Sequence, residues 1–142
     1  MEPARINILI VEDNLSHLKI TEYALRRSKI PSNLNVVSDG QEVLDYIFRA
    51  NGFEDQAKFP RPDLILLDLN LPKRDGREVL KLLKADSRSL DIPIVIVSTS
   101  DREEDISYSF QVGAVAYISK SSGFDRYNEQ LGEVHKYART KT

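Results

Sequence analysis

The sequence predicts an α/β fold in which a parallel sheet of five strands lies between two layers of helices. Three short aliphatic runs do not alternate with polar residues, which is typical of strands covered on both faces; they are residues 8–11, 64–67 and 94–97. Segments with helical spacing of apolar residues separate these runs, so strand and helix alternate along the chain. Right-handed strand–helix–strand units then place helices on both faces of the sheet.

The elements are predicted in chain order as a strand followed by a helix, five times over. Two weaker strand candidates are residues 34–37 and 115–118, and the first helix is predicted over residues 15–28. The second, third and fifth helices show apolar residues at helical spacing, which are Val43, Leu44 and Ile47; Val79, Leu80 and Leu83; and Phe124, Tyr127, Leu131, Val134 and Ala138.

Local signals predict where several helices begin and end. An acid followed three residues later by glutamate, at Asp39, Asp75 and Asp101, predicts three helix N-termini. Gly113 predicts the end of the fourth helix. Residues 51–62 hold one glycine and two prolines and are expected to form a surface loop.

Composition excludes several classes of function. The 142 residues suit one domain (1–142, with a core of about 5–138 and no output domain), and 20 basic against 22 acidic residues give a net charge of −2. This balance argues against a nucleic-acid or anionic-membrane surface. No cysteine and only two histidines leave carboxylates, hydroxyls and lysines for the chemistry. No apolar run is long enough to span a bilayer and no signal peptide is present, so a cytoplasmic location is expected.

Polar side chains follow every strong predicted strand. Glu12 and Asp13 follow the first strand, Asp68 the third, Ser98 the fourth and Lys120 the fifth. Taken singly, each is more simply a helix cap or a solvated loop residue. Because the carboxyl ends of parallel strands form one crevice, the set together predicts a functional site there.

Three carboxylates held close together need a counter-charge at neutral pH. Oxygen ligands without histidine or cysteine suit a hard cation, and Mg²⁺ fits best. An aspartate beside Mg²⁺, a hydroxyl and a lysine is equipped to become an acyl phosphate, because the reaction is mainly positioning and electrostatics. No histidine base is then required.

The chain resembles a response-regulator receiver domain of two-component signalling over essentially its whole length. The matching segments are Val11-Glu12-Asp13-Asn14, residues 67–72 followed by Asp75-Gly76, residues 93–98, Gly113-Ala114 and residues 117–120. The sequence of residues 60–73 and the length of the loop at 51–62 most resemble those of the single-domain receivers that partner bacterial phytochrome histidine kinases. The resemblance implies the flavodoxin-like fold with strand order 2-1-3-4-5.

The resemblance also implies the role of each site residue. Asp68 is the expected phosphoryl acceptor, Ser98 and Lys120 hold the phosphoryl oxygens, and Tyr117 is the switch aromatic; Mg²⁺ is expected on Glu12, Asp13, Asp68 and the backbone carbonyl of Asn70. When Ser98 moves toward the phosphate, the Tyr117 ring is expected to turn inward. The protein would then be a phosphoacceptor that catalyses only its own phosphorylation and dephosphorylation.

The implied partners are proteins. A histidine kinase, in particular a bacterial phytochrome, is expected to donate the phosphoryl group, and a downstream target or phosphotransfer protein to read it. The face of the fourth helix, fifth strand and fifth helix, roughly residues 103–138, is expected to change shape and to offer a homodimer contact. No nucleic acid or membrane is expected as a partner.

This sequence departs from the family pattern at three positions. Ser98 stands where threonine is commoner, and Thr99 where a smaller residue is frequent, which is expected to narrow access to Asp68. Ser121 follows Lys120 where proline is usual; the family's cis bond there is costly without proline, so an altered loop is expected.

Two alternative functions use parts of the same pattern. A haloacid-dehalogenase-type phosphatase also forms an aspartyl phosphate after a hydrophobic strand, but its second aspartate is replaced here by Asn70, which cannot protonate a leaving group. A degenerate receiver would signal without phosphorylation, although the complete acidic set argues against it. Stabilisation by Mg²⁺ would distinguish the switch from the degenerate form.

Overall fold

The computed structural model describes residues 5–139 and contains one parallel sheet with the strand order β2-β1-β3-β4-β5. The strands are β1 (Ile6–Val11), β2 (Ser32–Val37), β3 (Leu64–Leu67), β4 (Ile94–Ser98) and β5 (Ala116–Ser119). The helices are α1 (Leu15–Arg27), α2 (Gly40–Ile47), α3 (Gly76–Ala85), α4 (Glu103–Val112) and α5 (Phe124–Leu131), followed by a 3₁₀ helix at Val134–Tyr137. The predicted fold class and strand order are confirmed.

Alternate side chains of the central strands enter two separate apolar layers. Leu9 and Ile65 pack with α2 and α3 on one face, whereas Ile10 and Leu66 pack with α1 and α5 on the other. Every residue of β3 and β4 is buried, which explains why these strands read as unbroken apolar runs. The two layers fix the carboxyl ends of β1, β3 and β4 beside one another.

Two of the three predicted helix caps are present. Asp39 caps α2 by accepting the Glu42 N–H, and Asp75 caps α3 by accepting the Arg77 N–H. The cap predicted at Asp101 is wrong, since Arg102 is the N-cap residue of α4 and no side chain caps it. Gly113 ends α4 with φ 127°, as predicted.

The last helix is shorter than predicted. α5 ends at Leu131, and Gly132 lies between it and the 3₁₀ helix, because glycine is unfavourable in the interior of a helix. Phe124 was expected on the apolar face but is 60 % exposed, since it lies in the first turn of α5 after Gly123, whose φ is 102°. Tyr127, Leu131 and the 3₁₀ residue Val134 are buried as expected.

The long connection between α2 and β3 is a loop, as predicted, and its aromatic residues anchor it. The rings of Tyr46, Phe53 and Phe59 pack with centroids 4.8 to 5.7 Å apart. The Tyr46 hydroxyl also donates a hydrogen bond to the Pro60 carbonyl at 2.8 Å. Among the described residues, no helix combines the length and apolar character required to cross a bilayer.

Two glycines allow the backbone after β3 to lie against the first turns of α2 and α3. A Cβ atom on Gly76 would lie 2.2 Å from the Asp68 carbonyl oxygen, and one on Gly40 would lie 2.2 Å from the Arg74 carbonyl oxygen. The Gly40 N–H donates to the Pro72 carbonyl, and the Gly76 N–H to the Leu69 carbonyl. Residues 68–76 are therefore held in place by direct backbone contact.

Candidate phosphoacceptor site

Four of the predicted site residues meet at the carboxyl ends of the strands, namely Glu12, Asp13, Asp68 and Lys120. Glu12 follows β1, Asp68 follows β3 and Lys120 follows β5. One carboxylate oxygen from each of Glu12, Asp13 and Asp68 lies within 4.8 Å of the other two. We call Glu12, Asp13, Asp68 and Lys120 the acidic crevice.

Lys120 is the buried cation of this crevice. Its side chain is 4 % exposed, and its ammonium group lies 2.5 Å from Glu12 Oε1 and 2.9 Å from Asp68 Oδ2. The third contact is His17 Nδ1 at 3.0 Å. An ammonium group has three N–H donors, so each donor has an acceptor.

The pKa values show how burial and charge compete in the crevice. Burial raises the pKa of Glu12 to about 7, and Lys120 opposes this rise. Burial alone would lower the pKa of Lys120, but the hydrogen bond that Lys120 donates to Glu12 and the charge of Asp68 outweigh burial, so the pKa of Lys120 is raised. Lys120 therefore stays charged.

Asp68 is held through both carboxylate oxygens. Oδ1 accepts the backbone N–H of Asn70 at 2.9 Å, and Oδ2 accepts the Lys120 ammonium. The side chain is almost fully buried, although it lies at the end of a strand. The structure thus brings Asn70 next to Asp68 through its N–H, while the metal-binding role of its carbonyl stays a prediction.

The donor set fits a divalent hard cation. Three carboxylates face one ammonium group, and the cluster contains neither a cysteine nor a histidine ligand. The carboxylates outnumber the ammonium group, so negative charge remains at this place. Carboxylate oxygens are also the ligands that Mg²⁺ and Mn²⁺ prefer in proteins.

Ser98 and Tyr117 meet at the loop after β4. Ser98 is fully buried at the end of β4, and its hydroxyl accepts the Ser100 N–H at 3.1 Å. The Tyr117 hydroxyl donates to the Ser100 carbonyl at 2.8 Å, and burial raises the pKa of that hydroxyl. Both predicted residues therefore contact the same residue of the loop.

No peptide bond among residues 5–139 is cis, so the Lys120–Ser121 bond is trans.

A second polar group, missed by the sequence analysis, supports that loop. Asp105 accepts Arg77 Nε at 2.8 Å and the Ser100 hydroxyl at 2.6 Å. The Arg77 guanidinium and the Ser100 hydroxyl lower the pKa of Asp105 to about 2. We call Arg77, Ser100 and Asp105 the Arg77 cluster. Its only sequence signal was an acid in the first turn of α4, which reads as an ordinary helix-terminal charge.

His17 is the other residue that sequence reasoning missed. The small number of histidines argued against a histidine-based metal site or triad, and nothing marked His17 as a neighbour of Lys120, 103 positions away. Burial and the Lys120 charge lower the pKa of His17.

Comparisons with known proteins show the family to which this chain belongs. The response regulator receiver domain family matches residues 8–131. Response regulator Rcp1 of Synechocystis sp. is 38 % identical over 114 residues, covering 80 % of this chain and 76 % of that protein.

Two solved structures extend the likeness to nearly the whole chain. The phosphorylated cyanobacterial phytochrome response regulator RcpA is 38 % identical, with a TM-score of 0.85 over 95 % of this chain and 94 % of its own. The Mn²⁺-bound form of Rcp1 is 33 % identical, with a TM-score of 0.85 over 96 % of this chain and 97 % of its own. From the fold, the acidic crevice and these matches, the chain belongs to the response regulator receiver domain family of two-component signalling and is similar to phytochrome response regulators.

Proposed function

We propose that Asp68 accepts a phosphoryl group from a histidine kinase and that this event changes a protein-binding face. The observation that carries the proposal is the buried Asp68 carboxylate, held at one oxygen by Lys120 and placed among two further acids. An Asp68 oxygen forms the new P–O bond, the P–N bond of a phosphohistidine breaks, and the imidazole leaves with the electron pair.

The residues around Asp68 supply positioning and charge. Lys120 is the cation that pairs with the phosphoryl oxygens, and the Ser98 hydroxyl is the second donor. Glu12, Asp13, Asp68 and the Asn70 carbonyl would hold Mg²⁺, which neutralises charge on the transferred group when bound. The Mn²⁺-bound form of the relative Rcp1 supports a divalent metal in this family.

The protein acts on itself in this proposal and is not a turnover phosphatase. Two residues beyond the acceptor stands Asn70, whose amide cannot protonate a leaving group. The proposed reactions are formation and hydrolysis of the acyl phosphate on Asp68. We propose that residues 1–142 form the one domain that carries them out. We place this reaction in the cytoplasm, where ATP-dependent kinases act.

The phosphodonor is proposed to be a protein, of the bacterial phytochrome kinase class. Two exposed apolar side chains follow crevice residues closely along the chain: Leu15 opens α1 two residues after Asp13, and Phe124 opens α5 four residues after Lys120, and they are 65 % and 60 % exposed. Exposed apolar residues beside a polar site are typical of a protein contact. The relatives RcpA and Rcp1 supply the phytochrome assignment.

The output face is proposed to be α4, β5 and α5. Phe110 and Val115 are 48 % and 43 % exposed on it, and a surface groove of about 300 Å³ is lined by Ile106, Phe110 and Tyr117. Tyr117 thus connects this groove to the loop after Ser98. A downstream target, a phosphotransfer protein or a second copy of the chain is proposed to bind there.

Incubation with Mg²⁺ and acetyl phosphate tests the proposal. Mass spectrometry should find one phosphoryl adduct on the wild type and none on Asp68→Asn, because an amide cannot form the acyl phosphate. Asp101→Asn is the matched control, since Asp101 is exposed and caps no helix, and it should be modified like the wild type. An unmodified wild type, or a modified Asp68→Asn protein, would contradict the proposal.

A further inference from the structure

His17 occupies a place in the site that the sequence did not assign. Its Nδ1 atom lies 3.0 Å from the ammonium nitrogen of Lys120. Lysine has no acceptor and donates in every hydrogen bond, so Nδ1 must accept and carry no proton. The contact therefore requires a neutral imidazole with its proton on Nε2.

The first turn of α1 fixes this acceptor in place. Asn14 caps the helix by accepting the His17 N–H at 3.0 Å, and its own N–H donates to Glu12 Oε2 at 3.2 Å. One residue thus fixes the backbone of His17 and orients the carboxylate of Glu12. Two of the three acceptors around Lys120 are organised by the same short segment.

The position of His17 at a helix N-terminus favours the neutral ring. The first turn of a helix presents unpaired N–H groups and the positive end of the dipole, which disfavour an added positive charge. The neighbouring Lys120 ammonium acts in the same direction. A neutral acceptor is what the hydrogen-bond geometry needs.

His17 differs from the other two acceptors because it has no second task in the proposed reaction. Glu12 is proposed as a metal ligand and Asp68 as the phosphoryl acceptor, so the partners of both carboxylates change during the reaction. His17 is uncharged and its backbone is fixed by the Asn14 cap. Its hydrogen bond to Lys120 can persist while the charges of the crevice change.

We propose that His17 is a positioning residue, which holds the Lys120 ammonium in the crevice while Asp68 gains or loses its phosphoryl group. This inference rests on the proposed phosphorylation of Asp68. A buried lysine has several rotatable bonds and a strongly hydrated charge, so a third acceptor restricts it to one place. His17 acts through Lys120 and need not touch the phosphoryl group.

The kinetic test compares His17→Leu with His17→Asn. Leucine removes the acceptor at similar volume, whereas the asparagine oxygen can lie near the place of Nδ1. With Mg²⁺ and acetyl phosphate, His17→Leu should be modified about five- to tenfold more slowly than wild type, the value of one hydrogen bond. His17→Asn should recover most of the rate, and the Mg²⁺ concentration for half-maximal rate should not change.

Ser16→Ala is the matched control, because Ser16 is an exposed neighbour in the same turn and should keep the wild-type rate. Equal rates for wild type and His17→Leu would overturn the inference, as would an equal loss in both His17 variants. Addition of Lys120→Met gives a double-mutant cycle, in which the His17→Leu effect should disappear. An undiminished His17→Leu effect in the Lys120→Met background would overturn it too.

An NMR measurement separates this inference from the proposed function. The ¹⁵N shifts of the His17 ring in the metal-free wild type at neutral pH should show an unprotonated Nδ1 and a protonated Nε2. Replacement of Lys120 by methionine should move the Nδ1 shift. A proton on Nδ1 would overturn the inference about His17 even if the protein is phosphorylated. A wild type that acetyl phosphate does not modify would overturn the proposed function, and the protonation of the His17 ring could still be measured.

Discussion

The acidic crevice and the Arg77 cluster are both largely buried polar groups, with Asp13 the exposed member of the crevice, but their charge is arranged differently. In the crevice, three carboxylates face one ammonium group. In the Arg77 cluster, Asp105 is paired with Arg77, and the Ser100 hydroxyl donates to its second oxygen. The carboxylates of the crevice outnumber its one cation, whereas both oxygens of Asp105 in the Arg77 cluster have a donor; Arg77 also pairs with the more exposed Asp75. An unbalanced site is typical of ligand binding, and a balanced one of structural support.

The largest expected effect in this comparison is the loss of the crevice cation. Lys120→Met should lower the free energy of unfolding by about 3 kcal/mol at neutral pH without metal, because it leaves buried carboxylates unpaired. Urea denaturation followed by circular dichroism measures this. Lys81→Met replaces an exposed lysine of α3 and should change stability little. Equal stability of the Lys120→Met and Lys81→Met proteins would show that Lys120 is not the counter-charge of the crevice.

The next largest effect should come from breaking the balanced group. Asp105→Asn removes the negative charge that pairs with Arg77 and accepts the Ser100 hydroxyl. We expect the free energy of unfolding to fall by about 1–2 kcal/mol at neutral pH. The pKa of Asp105 is lowered to about 2, so its contribution is present above the unfolded value near 3.8 and is lost as the pH falls toward 2. The melting-temperature difference from wild type should therefore shrink between pH 5 and 2.5. A difference that stays constant over this range would contradict the ion pair.

Completing the unbalanced group should have a smaller effect of opposite sign. Mg²⁺ at about ten times its dissociation constant should stabilise the protein by about 1 kcal/mol and raise the melting temperature by about 3–5 °C. Asp105→Asn should keep this response, since its charge lies outside the crevice. A flat melting temperature across millimolar Mg²⁺ would favour a receiver that signals without phosphorylation.

The smallest effect should come from relieving repulsion in the crevice. Asp13 is exposed and lies close to Glu12 and Asp68, so Asp13→Asn should raise the melting temperature of the metal-free protein by about 1–2 °C. Most of the gain from Mg²⁺ should disappear in the same variant. Calorimetry with and without Mg²⁺ measures both changes. A lower melting temperature in Asp13→Asn would mean that the crevice is balanced like the Arg77 cluster.

The fold was predictable because its signals are local and repeated. Buried strands have unbroken apolar runs, and the carboxyl ends of parallel strands lie on one edge, so Glu12, Asp68 and Lys120 could be placed together from their positions alone. Phe124 and Asp101 were misplaced because a local pattern carries no information on where a glycine or a neighbouring loop shifts a helix start.

The parts of the site that were missed depend on contacts between distant residues. His17 is an unremarkable residue in a helix until β5 brings Lys120 to it, and Arg77 is an ordinary helix-surface arginine until α4 brings Asp105. Neither contact can be recognised from the spacing of residues along a helix or a strand. Residue types at strand ends predict which chemistry is available, while the partners that orient them depend on how α1, α3 and α4 pack.

The backbone contacts at Gly40 and Gly76 have a consequence for how such a protein can move. With no side chain at either position, the segment after Asp68 rests on two helix starts and cannot shift without pushing them. The loop after β4, from Ser98 to Ser100, is held instead by hydrogen bonds to side chains, including those of Tyr117 and Asp105, and such bonds can exchange. In the proposed switch, the segment after Asp68, which is fixed by backbone contact, would receive the signal, and the loop after β4 would report it. A methyl group at Gly76 would then disturb the receiving segment first.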